Sequence, residues 1–272
     1  MFENNLKTEP IPERVYELCK YVSKGEISDK EMKEKIEPTS LKDSNTTYYY
    51  SIREVCINEL KLVNQDGDIL SYIGDKKIIK DMDSFRKYCN LVAYKNENSH
   101  FFKIANCFLE SNDEWLKYTT LTDPNIIKYV RDKTGIRPVT DPMMLGMRFW
   151  MSFLGFGYIQ EKEKILMWFL PNMHVALQDF CEASLLEKKK EYSVDEFMSI
   201  IYERASVALI NTMDSHKFNL AMSNALRQMH DNKEIELKRQ LDSKEVWNMF
   251  HDGSHEFTEE ITHIVYKGVK RR

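Results

Sequence analysis

Three times along this chain an amphipathic helix meets an apolar stop and gives way to two short apolar runs about a turn. That order restricts the fold to small helical units, each closed by a β-hairpin. In the first copy, residues 51–60 carry Ile52, Val55, Cys56 and Leu60 at helical spacing, and Asp66-Gly67 turns Leu62-Val63 back into residues 69–73. In the second, an apolar helix over 142–154 stops at Gly155, and 158–160 pairs with 165–169 about 161–164 before Pro171 ends the hairpin. In the third, Leu220, Leu226 and Met229 line a helix leading into 235–238, with 261–266 as the return strand.

The segments before each copy are also helical. Val15, Leu18, Cys19 and Val22 repeat at helical spacing after Pro12, and Ser28 with Glu31 forms a capping-box pattern opening a second helix, with Met32 and Ile36, that stops at Pro38. A polar stretch over 39–47 precedes the third helix, and 85–92 reads as a closing helix. Three helices and a hairpin are the order of a winged helix. Residues 95–99 make the first polar break, with helices expected at 101–109 and 114–121. Asp123-Pro124 and Asp141-Pro142 are helix starts, because aspartate accepts from free amides and proline fits the first turn. A helix over 173–186 and a charged joint at 187–191 lead to a second capping-box pattern, Ser193 with Glu196. Within 244–260, Val246, Trp247 and Phe250 are expected in a short inserted helix. The expected fold is mainly α with small β-hairpins, an α+β chain of tandem winged-helix-like domains: N-terminal 1–95, middle 96–190 and C-terminal 191–272. Ile52, Cys56, Phe149, Phe153 and Leu226 are expected in its cores.

Lysine and arginine total 39 against 43 aspartate and glutamate, a net charge of −4. A dedicated duplex binder usually carries a basic excess, so this balance opposes strong autonomous DNA affinity while leaving room for a local basic patch. Cys19, Cys56, Cys89, Cys107 and Cys181 form no CxxC pair and fall mostly on apolar faces, which suits small buried hydrophobes better than zinc ligands. No apolar run approaches the roughly 20 residues that span a bilayer; residues 143–158 are interrupted by Gly146, Arg148, Gly155 and Gly157. The N-terminus lacks a basic region followed by an apolar one, so a cytoplasmic location is expected.

The richest titratable cluster is His251-Asp252-Gly253-Ser254-His255 with Glu259, Glu260 and His263, residue types that bind metals. Gly253 and the strand around His263 keep these from sharing one face, so a solvated loop is the simpler expectation. A metal-dependent nuclease would use Glu236-Leu237-Lys238 with a carboxylate such as Asp214 or Asp231, yet Glu236 and Lys238 are also the outward face of an alternating strand. Neither GxxxxGK[ST] nor GxGxxG occurs, Gly155-Phe156-Gly157 is too short a glycine motif, and no catalytic residue, metal or cofactor is expected.

Nucleic-acid binding is the sharper expectation. A winged helix reads DNA through its third helix while its wing touches phosphate. In the first unit Tyr48, Tyr49, Tyr50 and Arg53 lie beside Glu54 and Glu59, a poor electrostatic footprint. In the third, Asn224 and Arg227 are placed to read adenine and guanine, and Lys238 and Arg239 to meet phosphate, with Lys267, Lys270, Arg271 and Arg272 in the tail. A polar face in water has the same composition. Phe149, Trp150, Phe153, Phe156, Tyr158, Trp168 and Phe169 make the middle unit rich in aromatics, read as a core or as a partner surface.

The order of motifs resembles the DpdG proteins, accessory members of bacterial DNA-modification and restriction gene clusters. The resemblance rests on residues 26–38 before the first winged helix, on Phe149-Trp150-Met151-Ser152-Phe153-Leu154-Gly155-Phe156-Gly157, and on Asn224-Ala225-Leu226 leading into the terminal hairpin. Pro171-Asn172 departs from the family's preference for an acidic residue after that proline. The resemblance implies a cytoplasmic, non-enzymatic subunit of a multi-protein anti-phage system, its ATPases and nucleases being separate chains. The expected function is an adaptor or DNA-sensing subunit that contacts those partners and duplex DNA, with no membrane association. A winged-helix transcription regulator and a metal-dependent nuclease are the alternatives.

Overall fold

The computed structural model describes residues 6–41, 47–93, 97–114, 122–162 and 166–270. The helix expected over 114–121, most of the stretch 39–47, part of the break at 95–99, the centre of the turn at 161–164, the Trp168 side chain and Arg271 and Arg272 fall wholly or mainly outside that description. The fold is mainly helical with small antiparallel sheets. No helix among the described residues is long and apolar enough to cross a membrane.

Helix α1 (Pro12–Val22) starts at a proline whose missing N–H costs nothing there, and it buries Val15, Leu18, Cys19 and Val22 on one stripe. Strand β1 (Ile27–Ser28) leads into α2 (Asp29–Ile36), where Ser28 Oγ accepts from Glu31 N at 3.1 Å. Helix α3 (Tyr49–Glu54) widens into a π turn over Val55–Glu59, closed by Leu60 N donating to Val55 O at 2.9 Å. Strands β2 (Val63–Asp66) and β3 (Ile69–Tyr72) form the hairpin, and β1 adds to β3, giving the order β1-β3-β2. Helix α4 (Met82–Ala93) follows.

The middle of the chain holds α5 (His100–Glu110), α6 (Pro124–Thr134), α7 (Asp141–Phe153) and the ribbon of β4 (Gly157–Lys162) and β5 (Leu166–Pro171). Asp123 caps α6 as expected, accepting from Asn125 N at 2.8 Å. Thr140, not Asp141, occupies the cap position of α7. Gly155 then takes φ +82°, and a Cβ there would lie 2.7 Å from the Ala176 backbone nitrogen, so the turn admits only glycine.

The remainder comprises α8 (His174–Ala183), β6 (Glu191–Ser193), α9 (Val194–Leu209), α10 (Thr212–Ser215), α11 (Leu220–Asp231) and the strands β7 (Ile235–Lys238), β8 (Trp247–Asn248), β9 (Glu260–Ile261) and β10 (His263–Tyr266). Ser193 Oγ accepts from Glu196 N at 3.0 Å to cap α9. The main sheet has the order β6-β10-β7, while β8 and β9 form a separate ribbon inserted between β7 and β10. The same order of helix, strand, helices and hairpin, with the first strand laid on the last, thus runs from α1 to β3 and again from α8 to β10.

Three expectations change. The boundary expected at 190 assigns α8 to the middle unit, whereas α8 packs on α9 and α11, burying Ala176, Leu177, Phe180 and Cys181. Trp247 is in a strand rather than a helix, because Trp247 registers with Ile261 and its ring stacks on His216 at 4.6 Å; the return strand proper begins at His263. Ile52, Cys56 and Leu226 are buried as expected, but Phe149 and Phe153 are half-buried flanks of α7, whose inner face is Met144, Met147, Trp150 and Met151. One continuous apolar core joins all these elements, and the five cysteines are buried in it as free thiols.

Trp150 is fully buried and donates through Nε1 to Pro10 O at 2.7 Å, tying the N-terminal arm to α7. Trp150→Phe is expected to cost about 2–4 kcal/mol in urea unfolding, from the orphaned carbonyl and the cavity left behind. A change within about 0.5 kcal/mol, the size typical of a surface substitution, would contradict this packing.

Candidate functional site

The four residues expected to meet DNA are placed very differently from one another. Arg227 is 4% exposed, and its guanidinium donates to Phe257 O at 3.0 Å, Phe250 O at 2.7 Å and Thr258 O at 2.7 Å. It therefore clamps the β8–β9 insertion onto α11 and is corrected from a base reader to a structural residue. Burial pulls its pKa below the ordinary arginine value, with Asp252 acting the other way. Asn224 is half-buried and donates to Pro171 O at 3.4 Å. Lys238 pairs with Glu191 at 2.5 Å, and Arg239 Nε with Glu260 at 2.9 Å. Both cations lie near the surface, but a carboxylate already neutralises each.

The histidine-rich loop is equally committed. His255 Nδ1 accepts from Phe257 N at 3.0 Å, so its Nε2 carries the proton toward Asp231 at 3.2 Å. His230, which the sequence reading did not include, accepts from Leu237 N at 3.0 Å and reaches Glu256 at 2.7 Å. His251 pairs with Glu259, Glu260 with Arg239, and His263 with the Thr262 hydroxyl, so the loop's groups diverge. Asp252 accepts from the Ser254 hydroxyl and amide, which holds its carboxyl below the usual range. The proposed nuclease carboxylate Glu236 is paired with Lys267 at 2.6 Å, which lowers its pKa. Among the described residues no group of three or more histidine, cysteine, aspartate or glutamate side chains stands together as a metal site.

A further polar arrangement among the described residues carries little signal in the sequence. A cleft of about 550 Å³ opens between α4, α8, α11 and the C-terminal tail, lined by Arg86, His174, Gln178, Gln228, Asn232 and Lys270. Behind it Glu234, fully buried, accepts from Gln178 Nε2 at 2.7 Å and from Lys270 N at 2.9 Å and lies 3.2 Å from His174 Nε2, which Asn232 Nδ2 also approaches at 3.3 Å. Beside it Asp179, 4% exposed, accepts from Arg86 Nε at 2.9 Å and Nη2 at 3.3 Å and from Asn90 Nδ2 at 3.1 Å. Burial opposes the Arg86 charge, but Asp179 and Asp83 together outweigh it and raise its pKa. Only Asp179 leaves a trace in the sequence, as an acid on the apolar stripe of Ala176, Leu177, Phe180 and Cys181.

No protein-family model matches the chain, and neither curated proteins nor solved structures provide a match. Two substitutions test the reading of these residues as structural. Arg227→Met is expected to destabilise the fold by about 3–5 kcal/mol, by leaving three carbonyls without their donor. Asp179→Ala is expected to cost less, about 1–3 kcal/mol, because it removes the acceptor of Asn90 and one of the two carboxylates on Arg86 while Asp83 stays paired at 2.6 Å. Urea unfolding monitored by tryptophan fluorescence measures both, and losses below about 1 kcal/mol would return these side chains to the solvated class.

Proposed function

We propose that the chain is a tandem winged-helix adaptor, a non-enzymatic subunit of a cytoplasmic multi-protein defence system of the kind the DpdG resemblance implies. The observation that carries this reading is the duplicated order from α1 to β3 and from α8 to β10, with the first strand laid on the last in each sheet. In a winged helix the groove-reading position belongs to the third helix, here α3 and α11. Helix α11 is covered: Met222, Ser223, Leu226 and Arg227 are buried, and the β8–β9 insertion is bonded to Ser223 and Arg227. Helix α3 shows Tyr50 and Arg53, but Arg53 is paired with Asp29 at 2.8 Å. Glu54 stands beside them, and Asp66 and Asp68 flank the hairpin turn where phosphates would approach. Both copies therefore suit protein contacts better than groove reading, which favours an adaptor over a transcription regulator.

Fluorescence anisotropy with a short labelled duplex separates the two. The isolated chain is expected to bind weakly at low salt, without sequence preference, and to release the duplex near physiological salt, because the net charge is −4 and Arg53, Arg227, Lys238 and Arg239 already have partners within the protein. Products of neighbouring genes are expected to raise the affinity. Tight, sequence-selective binding by the chain alone at physiological salt would favour the regulator. Magnesium- or manganese-dependent cleavage that disappears in Glu236→Gln would favour the nuclease.

A further inference from the structure

A second cavity, also of about 550 Å³, lies between α5, α6 and the turn after α9, and it plays no part in the adaptor reading. Its lining includes the carboxylates of Glu97 and Glu110, the ammonium groups of Lys103 and Lys133, and the partly exposed Tyr129 and Ile210. The Ser111 and Tyr129 hydroxyls also meet there, 3.0 Å apart. Glu110 Oε1 accepts from Asn219 Nδ2 at 3.1 Å. No basic side chain pairs with Glu110 among the described residues, and neither Lys103 nor Lys133 has an acidic partner there; the Lys133 ammonium instead lies 5.7 Å from the Tyr129 ring centre. Burial raises the Glu110 pKa, with the side-chain amides of Asn219 and Asn211 opposing the shift.

A carboxylate withdrawn from water without a cation is costly, and here two unpaired ammonium groups line the same cavity without closing on it. The complementary ligand offers N–H donors to Glu110, negative charge to the two lysines, and a flat apolar surface to Tyr129 and Ile210. Sites for small molecules are roughly 300–1,000 Å³, so this cavity suits a mononucleotide and is oversized for a simple amino acid. Among the bases, guanine sets a ring N–H beside an exocyclic amine and makes two parallel bonds to a carboxylate, whereas adenine offers a single amine donor on that edge. We propose that the cavity binds a guanine nucleotide, with the base edge on Glu110 and the phosphate held between Lys103 and Lys133.

Calorimetric titration of the full chain with GMP, AMP, guanosine and inorganic phosphate tests this. GMP is expected to bind at least about tenfold more tightly than AMP, the loss of one charge-assisted bond being worth about that factor. Glu110→Gln is expected to erase the preference. The double variant Lys103→Ala/Lys133→Ala, which alters only exposed side chains, is expected to weaken GMP by about tenfold or more and leave guanosine unchanged. This variant keeps the test open if Glu110→Gln fails to fold. Equal affinity for GMP and AMP, phosphate binding as tight as GMP, or no heat and no melting shift with millimolar GMP would each overturn the proposal.

Discussion

Asp179 puts a carboxylate on the apolar face of α8, where Arg86 and Asn90 of α4 converge on it. The helix that opens the C-terminal copy is thereby bonded to the helix that follows the N-terminal one. Asn90 also donates to Leu154 O at 3.2 Å, which brings the end of α7 into the same junction. The next residue, Gly155, lies against the backbone of α8 at Ala176. An ion taken out of water is tolerated only where its partners arrive with correct geometry, and here those partners tie α4, the end of α7 and α8 to one another. Apolar packing alone is less selective, because many rotations of a helix bury a similar area.

Glu234 repeats the device at the other side of α8. Its oxygens gather Gln178 and His174 from that helix and the backbone of Lys270 from the tail, so the chain's end is fastened to the helix that begins the last unit. The two buried carboxylates explain why the cleft between α4, α8 and α11 is polar while the core beneath it is apolar and continuous. Much of that cleft's hydrogen-bonding capacity is already spent within the protein. The cavity at Glu110 differs in this respect, since its carboxylate and its two lysines remain apart.

The insertion of β8 and β9 changes what the second copy can do. Trp247 packs between His216, Phe218 and Ile261, and the ribbon's carbonyls are satisfied by Arg227. An arginine that would have projected from α11 is thereby drawn inward, and the helix becomes an interior element. Beside the sheet, Lys238, Arg239 and Lys267 are paired with Glu191, Glu260 and Glu236. Cations paired in this way leave less positive field at the surface than the same residues would unpaired.

Local chemistry was legible in the sequence wherever one stretch of backbone satisfies itself. Ser28, Asp123 and Ser193 cap the helices they precede, and the stripes of α1 and α11 face the core as their spacing requires. The hairpin at Asp66-Gly67 also forms where its turn residues stand, and the strands expected after Gly155 pair with each other. Periodicity shows that a face is apolar but not which neighbour covers it, so the allocation of α8 and the inward turn of Trp150 rather than Phe153 were decided only by packing. Polar side chains were least legible. Arg227 reads the same in a sequence whether water, a phosphate or three carbonyls receive its protons, and Arg86 meets Asp179 across 93 residues with no local signal. Secondary structure is set by neighbours along the chain, whereas the partners of a charge are set by neighbours in space, and only the tertiary structure brings those together.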